Sequence, residues 1–210
     1  MKHKRSFAKE IYTQDGIVTG NIFPDLKVLD VGCGQRKLKG AIGLDVVPNS
    51  EADVIHDVSK LPWPFENDSF DVVFTNHHLE HVENPLQFLG EVHRILKPGG
   101  RVVIQVPYFR RADAFTDLTH RHFFTSRSLD YVIEGAKLAS YQYIEYRFKK
   151  IGFWYGWPAV SRNPIVQVFK NFITEHPRFY DQYLSLLLPV PCLTWELEVM
   201  KYSPSGQAPQ

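Results

Sequence analysis

Val28-Leu29-Asp30-Val31-Gly32-Cys33-Gly34-Gln35, followed shortly by Ala41-Ile42-Gly43-Leu44-Asp45, is the stretch that decides the fold. A short apolar run ends in Asp30 and a Gly-x-Gly turn; a second apolar run ends in an acid. Glycines after a buried strand let backbone N–H groups approach a ligand closely. A carboxylate at the tip of the neighbouring strand can hold both hydroxyls of a ribose. Together they point to a nucleoside-bearing cofactor. A dinucleotide fingerprint wants a third glycine three positions after the second, where this chain has Lys37, so NAD and FAD are disfavoured. No Walker loop is present either.

Outward from that stretch, strand-like runs recur at Lys27–Val31, Ile42–Val46, Asp53–His56, Phe70–Thr75 and Arg101–Val106. Near-continuous apolar character, rather than alternation, favours strands buried on both faces of a parallel sheet. A helix is predicted over Pro85–Lys97, with Asn84 as N-cap, Pro85 at N1 and an apolar stripe of Leu86, Leu89, Val92, Ile95 and Leu96. Lys97-Pro98-Gly99-Gly100 stops it. A second helix is predicted from about Ser126 to Ser140, with Leu129, Val132, Ile133 and Ala136 facing inward. Alternation over Tyr141–Lys150 and Leu193–Lys201 predicts two more strands, an antiparallel pair at the sheet edge. The fold class that follows is α/β. It is a Rossmann-like, seven-stranded, mostly parallel sheet with helices on both faces and a helical insertion, 152–191, between the last two strands. One domain over residues 1–202 is expected, with residues 203–210 a disordered tail.

Four ordered motifs resemble the class I S-adenosylmethionine-dependent methyltransferases, in particular the small-molecule "type 11" group. They are VLDVGCG at 28–34, GLD at 43–45, HDVSKLPWPFENDSFDVVFTNHHLEHV at 56–82 and EVHRILKPGGRVVIQVP at 91–107. The resemblance covers about Lys27 to Tyr108. It implies S-adenosyl-L-methionine as cofactor, with S-adenosylhomocysteine as product. It places Asp30, Gly32, Cys33 and Gly34 in the loop beneath the methionine part, and Asp45 on the ribose with Val46 beside it. Asp57 and Val58 would meet the adenine, and Asn76 and His77 would lie near the transferring methyl. The cofactor's ammonium, adenine amino group and diol are hydrogen-bond donors suited to acidic acceptors. One departure stands out. Only ten residues separate Gly34 from Asp45, whereas a parallel crossover normally needs about a dozen or more. The usual helix there is shortened or replaced by a loop, which opens one flank of the pocket or leaves the segment around Phe7–Tyr12 to cover it.

His77-His78-Leu79-Glu80-His81 is not the His-Glu-x-x-His zinc pattern, because the glutamate is adjacent to the last histidine. The preferred expectation is that these histidines line the pocket at a strand-to-helix junction, with no metal. His78 is assigned to the substrate side, and His81 matches a position that in the resembling group lies near the methyl or substrate. The second cluster, Asp117-Leu118-Thr119-His120-Arg121-His122-Phe123-Phe124-Thr125, follows the fifth strand, whose end faces the crevice of an open α/β sheet. There His120, or His81, could act as a base, and Arg121 could clamp a carboxylate or phosphate. Tyr108 and Asp117 complete the expected substrate side, while Asp117 and Thr119 could equally bond the local backbone.

Composition sets the rest. The chain has 210 residues, 44% hydrophobic and 22% charged, which suits one domain with a sizeable core. A net charge of +1 gives no field that calls for nucleic acid. The basic start, Lys2, Lys4, Arg5 and Lys9, lacks an apolar h-region, and no run of ~20 apolar residues spans a membrane. Two cysteines suit a reducing cytoplasm, the expected location. Phe153, Trp154, Tyr155 and Trp157 read as packing of the insertion on the sheet. Leu184–Leu188 reads as a buried helix end rather than a lipid contact. The expected function is methyl transfer to oxygen or nitrogen of a small-molecule or glycan-type acceptor. The alternatives are a non-catalytic cofactor-binding partner or sensor, and a methyltransferase acting on RNA or protein.

Overall fold

The structure, a computed structural model, describes residues 6–13 and 16–201. The expected tail lies outside them. Among the described residues seven strands form one sheet: β1 Val28–Val31, β2 Ile42–Asp45, β3 Val54–Ile55, β4 Phe70–Asn76, β5 Leu96–Pro107, β6 Arg147–Tyr155 and β7 Cys192–Met200. Their order is β3-β2-β1-β4-β5-β7-β6. β3 through β5 pair in parallel, and β7 runs antiparallel to both β5 and β6. The chain therefore reverses its winding between β1 and β4. In an open α/β sheet a crevice opens at that point, past the carboxyl ends of the strands.

Each face of the sheet has its own apolar cluster. On one side Leu29, Val31, Val73, Val102 and Ile104 pack with Phe88, Leu89, Val92 and Ile95 of helix α2, Pro85–Ile95. Asn84 caps α2 as expected, its Oδ1 accepting from the N–H groups of Leu86 and Gln87, both at 3.1 Å. The helix stops two residues earlier than predicted. Pro98 disfavours helical backbone at Lys97, and Leu96 is already extended and pairs with Phe70 of β4.

On the other face, no helix forms between β1 and β2. Leu38 and Ala41 of that loop instead pack with Ala8, Ile11 and Tyr12, and these cover Val28, Val72, Phe74 and Val103. Helix α1, Phe7–Ile11, thus takes the space of the missing crossover helix. It is held there by Glu196 of β7, which is fully buried. Glu196 accepts from the Ser6 hydroxyl at 2.6 Å and the N–H of Phe7 at 3.1 Å, and is bridged by Arg101 at 2.8 Å.

Three expectations about the C-terminal half change. Residues 126–140 are not a helix but successive turns closed by i→i+3 bonds, such as Asp130 N to Arg127 O at 3.0 Å. Leu129, Val132 and Ile133 are buried nonetheless. The chain leaves the turns to bridge β6, with Phe148 N donating to Val132 O at 2.8 Å, before Gly135 turns it at φ +74°. β6 begins at Arg147, not Tyr141, because Lys137–Tyr141 forms a 3-10 turn ending at Gln142, φ +54°. It also runs on through Tyr155, taking the first four residues assigned to the insertion. What remains is helical over helix α3, Pro164–Glu175, and shorter turns at Pro177–Phe179 and Tyr180–Leu184, with irregular chain on either side.

Candidate functional site

The crevice is built where β1 and β2 end beside β4. Gly32 and Gly34 adopt φ of +71° and +53°, which glycine alone accepts without strain. Asp45 at the tip of β2 holds this turn: its Oδ2 accepts from Gly34 N and its Oδ1 from Val47 N, both at 2.9 Å. A carboxylate has about four lone-pair sites, so each oxygen can accept one bond more. Next to it Val46 leaves 56% of its surface exposed, an apolar platform beside an acceptor. Asp57, past β3, collects both bonds from Ser59 on Oδ1, leaving Oδ2 for another donor. These Ser59 bonds hold its carboxyl below the usual range. The Val58 carbonyl accepts from the Trp63 indole at 3.0 Å.

Beneath the turn, Asp30 is buried and accepts from Leu38 N at 2.7 Å. Burial pushes its carboxyl up to about 7. Burial likewise pushes the Cys33 thiol up to about 12, so it is a neutral, unreactive wall. Asn76, ending β4, accepts on Oδ1 from the Tyr12 hydroxyl at 3.1 Å, so the α1 segment reaches the crevice floor. His77 follows in left-handed backbone, φ +50°. This aims His78 back onto the turn: a Cβ on Gly32 would stand 2.2 Å from the His78 ring. Burial lowers the His78 pKa, and its Nε2 is buried without a partner.

The second cluster folds against the same strand end. Arg121 N and His122 N donate to the Glu80 carbonyl, at 2.8 and 3.2 Å. His81 and His120 then meet, ring centroids 4.7 Å apart. Asp117 does what local bonding predicts: its Oδ1 accepts from both Thr119 N and the Thr119 hydroxyl, and these bonds lower its pKa. Arg121 is not aimed inward; its guanidinium lies 3.9 Å from Glu83 on the surface. Tyr108, expected beside the substrate, is fully buried instead. Its hydroxyl donates to Asp181 at 2.7 Å, and its ring packs on Tyr155 and Tyr180. The reason is the insertion, whose Asp181 also accepts from Tyr155 and Ser126 and draws Tyr108 into the core. Glu80 and Asp181 are the residues sequence reasoning passed over. Glu80 lay in view in His-His-Leu-Glu-His, but its partners come from a segment some forty residues on.

A parallel sheet of this order, with a glycine turn at β1 and an acid at the tip of β2, is the arrangement of a class I, S-adenosylmethionine-dependent methyltransferase domain. Residues 29–104 match the family model described as a methyltransferase domain, of the type 11 kind. A demethylmenaquinone methyltransferase of Lysinibacillus sphaericus is 31% identical over 44% of this chain and 51% of its own length. A sterol 4-C-methyltransferase of Caenorhabditis elegans is 25% identical over 68% of this chain and 48% of its own. The chain spans about half the length of these curated relatives. Among solved structures, a SAM-dependent methyltransferase from Archaeoglobus fulgidus superposes with a TM-score of 0.55 at 16% identity, covering 84% of this chain and 87% of that one. That likeness speaks for the fold.

Proposed function

We propose that this chain transfers a methyl group from S-adenosylmethionine to an oxygen or nitrogen of a small-molecule acceptor. One observation carries the reading: Asp45, 9% exposed at the tip of β2, accepts one bond on each oxygen from Gly34 and Val47 and so retains lone pairs beside exposed Val46. The residues present fit the cofactor's donors, with Asp45 for the ribose diol, Asp57 Oδ2 for the adenine amino group and the Asp30 region for the ammonium. Its sulfonium supplies an already activated methyl, so the protein's part is to hold the acceptor in line with it and keep water out. Asn76, whose Oδ1 accepts from Tyr12, ends β4, and His81 and His120, packed on each other past that strand, are groups able to accept a proton. Two relatives bear the names demethylmenaquinone methyltransferase and sterol 4-C-methyltransferase, which favours a small, largely apolar acceptor over a macromolecule, although the 4-C of the second name is a carbon rather than an oxygen or nitrogen.

Titration calorimetry with S-adenosylhomocysteine tests the reading. Micromolar binding is expected, weakened at least about tenfold in Asp45→Ala, which removes charge-assisted bonds worth about 1.5–3 kcal/mol. His78→Ala is expected to bind equally or more tightly, because the ring packed on Gly32 competes for the turn. A folded wild-type chain that does not bind overturns the proposal.

A further inference from the structure

Glu80 is an anomaly in this molecule. Its side chain is 1% exposed, and both carboxylate oxygens lack a hydrogen-bond donor among the described residues. A buried carboxylate so placed is costly unless a cation or donor meets it. Two histidines, His120 and His81, turn ring nitrogens toward it. His120 lies with Nε2 4.0 Å from Glu80 Oε1, its side chain 8% exposed. The other ring nitrogen, Nδ1, is 2.8 Å from the Ala114 carbonyl. A carbonyl only accepts, so Nδ1 carries the proton and Nε2 of the neutral ring is a bare lone pair. His81 repeats the pattern through a relay. Its Nδ1 is 2.8 Å from the Thr119 hydroxyl, and that hydroxyl donates to Asp117 Oδ1 at 2.7 Å. The Thr119 oxygen therefore accepts from His81 Nδ1–H, and His81 Nε2 is bare as well.

We propose that Glu80, His81 and His120 form a binding site for a divalent first-row transition metal such as zinc, beside the crevice. One ligand atom from each lies within 4.8 Å of the other two. Tetrahedral ligands about 2.1 Å from zinc stand about 3.4 Å apart, so small side-chain rotations close the triad. Two imidazoles and one carboxylate select such ions over magnesium or calcium. The Ala114 carbonyl and the Thr119–Asp117 relay are the outer-shell partners that metal-bound histidines require. His77 Nδ1, 3.4 Å from Glu80 Oε1, flanks the carboxylate from the exposed side. Three protein ligands leave a position for water or acceptor. The catalytic part of the inference rests on the methyl-transfer reading. A metal held by Glu80, His81 and His120 would lower the pKa of an acceptor hydroxyl bound at the open position, so that its proton could pass to solvent before methyl transfer from the sulfonium. Held on a metal, these histidine lone pairs would be ligands, where the sequence leads one to expect a metal-free pocket with His81 or His120 as a base.

The test uses the untagged full chain, stripped with chelator and titrated with zinc chloride. One equivalent is expected to bind. Thr119→Val should weaken binding about 10–100-fold, and Glu80→Gln or His120→Ala by more. Zinc should raise the melting temperature of the wild type and not of Glu80→Gln, and cobalt should give the visible bands of a low-coordinate nitrogen-ligated site. No stoichiometric binding overturns the proposal, as does equal affinity in wild type and Glu80→Gln. A melting temperature that follows pH but ignores zinc also overturns it, assigning the cluster to a proton shared between Glu80 and a histidine. S-adenosylhomocysteine binding, measured on the same samples, reports separately on the methyltransferase reading.

Discussion

Asp30 shows how one buried carboxyl ties the crevice to pH. Its folded pKa of about 7 lies above the value of 3.8 it has when free. Between those values the folded chain keeps a proton that the unfolded chain releases, so stability falls as pH rises through this window. At about 1.4 kcal/mol per pKa unit, the loss approaches about 4 kcal/mol once pH exceeds 7. Asp30→Asn keeps an acceptor for Leu38 N–H but cannot ionise. Urea unfolding at pH 5 and pH 8 should therefore show the variant gaining on the wild type by a few kcal/mol at the higher pH. An unchanged difference between the two pH values would mean that Asp30 ionises as freely folded as unfolded. Asp30, Gly32 and Asp45 were legible in the sequence because residue type alone sets what they can do: a positive φ needs glycine, and a strand tip with an acid presents an acceptor. Tyr108 and Glu80 were not. Which way each side chain faces is decided by Asp181 and by the His120 segment, both remote in sequence.

At the level of elements, legibility follows how local the determinants are. α2 carries its own cap, its own stripe and its own stop, and it forms where those signals place it. The stretch 126–140 has an apolar spacing that suits a helix, yet turns bury the same residues while freeing backbone groups to bridge Phe148. Helix α1 is the opposite case, five residues with little intrinsic stability. Its place depends on Glu196, which holds its first N–H groups and the Arg101 guanidinium together inside the protein. Removing one partner of a buried pair costs about 3–5 kcal/mol. Glu196→Ala should lose that much in urea unfolding, and hydrogen exchange should rise over residues 7–12 before it rises in β4. A loss below about 1 kcal/mol would show that apolar packing alone seats α1. Since Tyr12 bonds Asn76, loosening α1 should also weaken S-adenosylhomocysteine binding.

Over the whole molecule, the sheet buries its apolar side chains well, but the insertion does not. Leu186, Leu187 and Leu188 are 68%, 78% and 54% exposed, and Ile165 and Val168 of α3 stand 78% and 69% exposed. The sequence suggested a buried helix end there, since a run of leucines between helix and prolines usually packs inward. The structure spends the inward positions on Tyr180 and Asp181, which bind the Leu188 carbonyl and the tyrosine cluster, and the leucines are left facing out. The two arrangements differ sharply in what one charge would do. A buried leucine replaced by a smaller or polar residue costs about 2–5 kcal/mol, whereas a surface substitution stays within about 0.5 kcal/mol. Leu187→Glu should therefore leave the unfolding midpoint in urea unchanged, while Leu193→Glu, fully buried in β7, should abolish or severely weaken folding. A Leu187→Glu chain destabilised by more than about 2 kcal/mol would put that leucine in the core and reverse the orientation assigned to the segment.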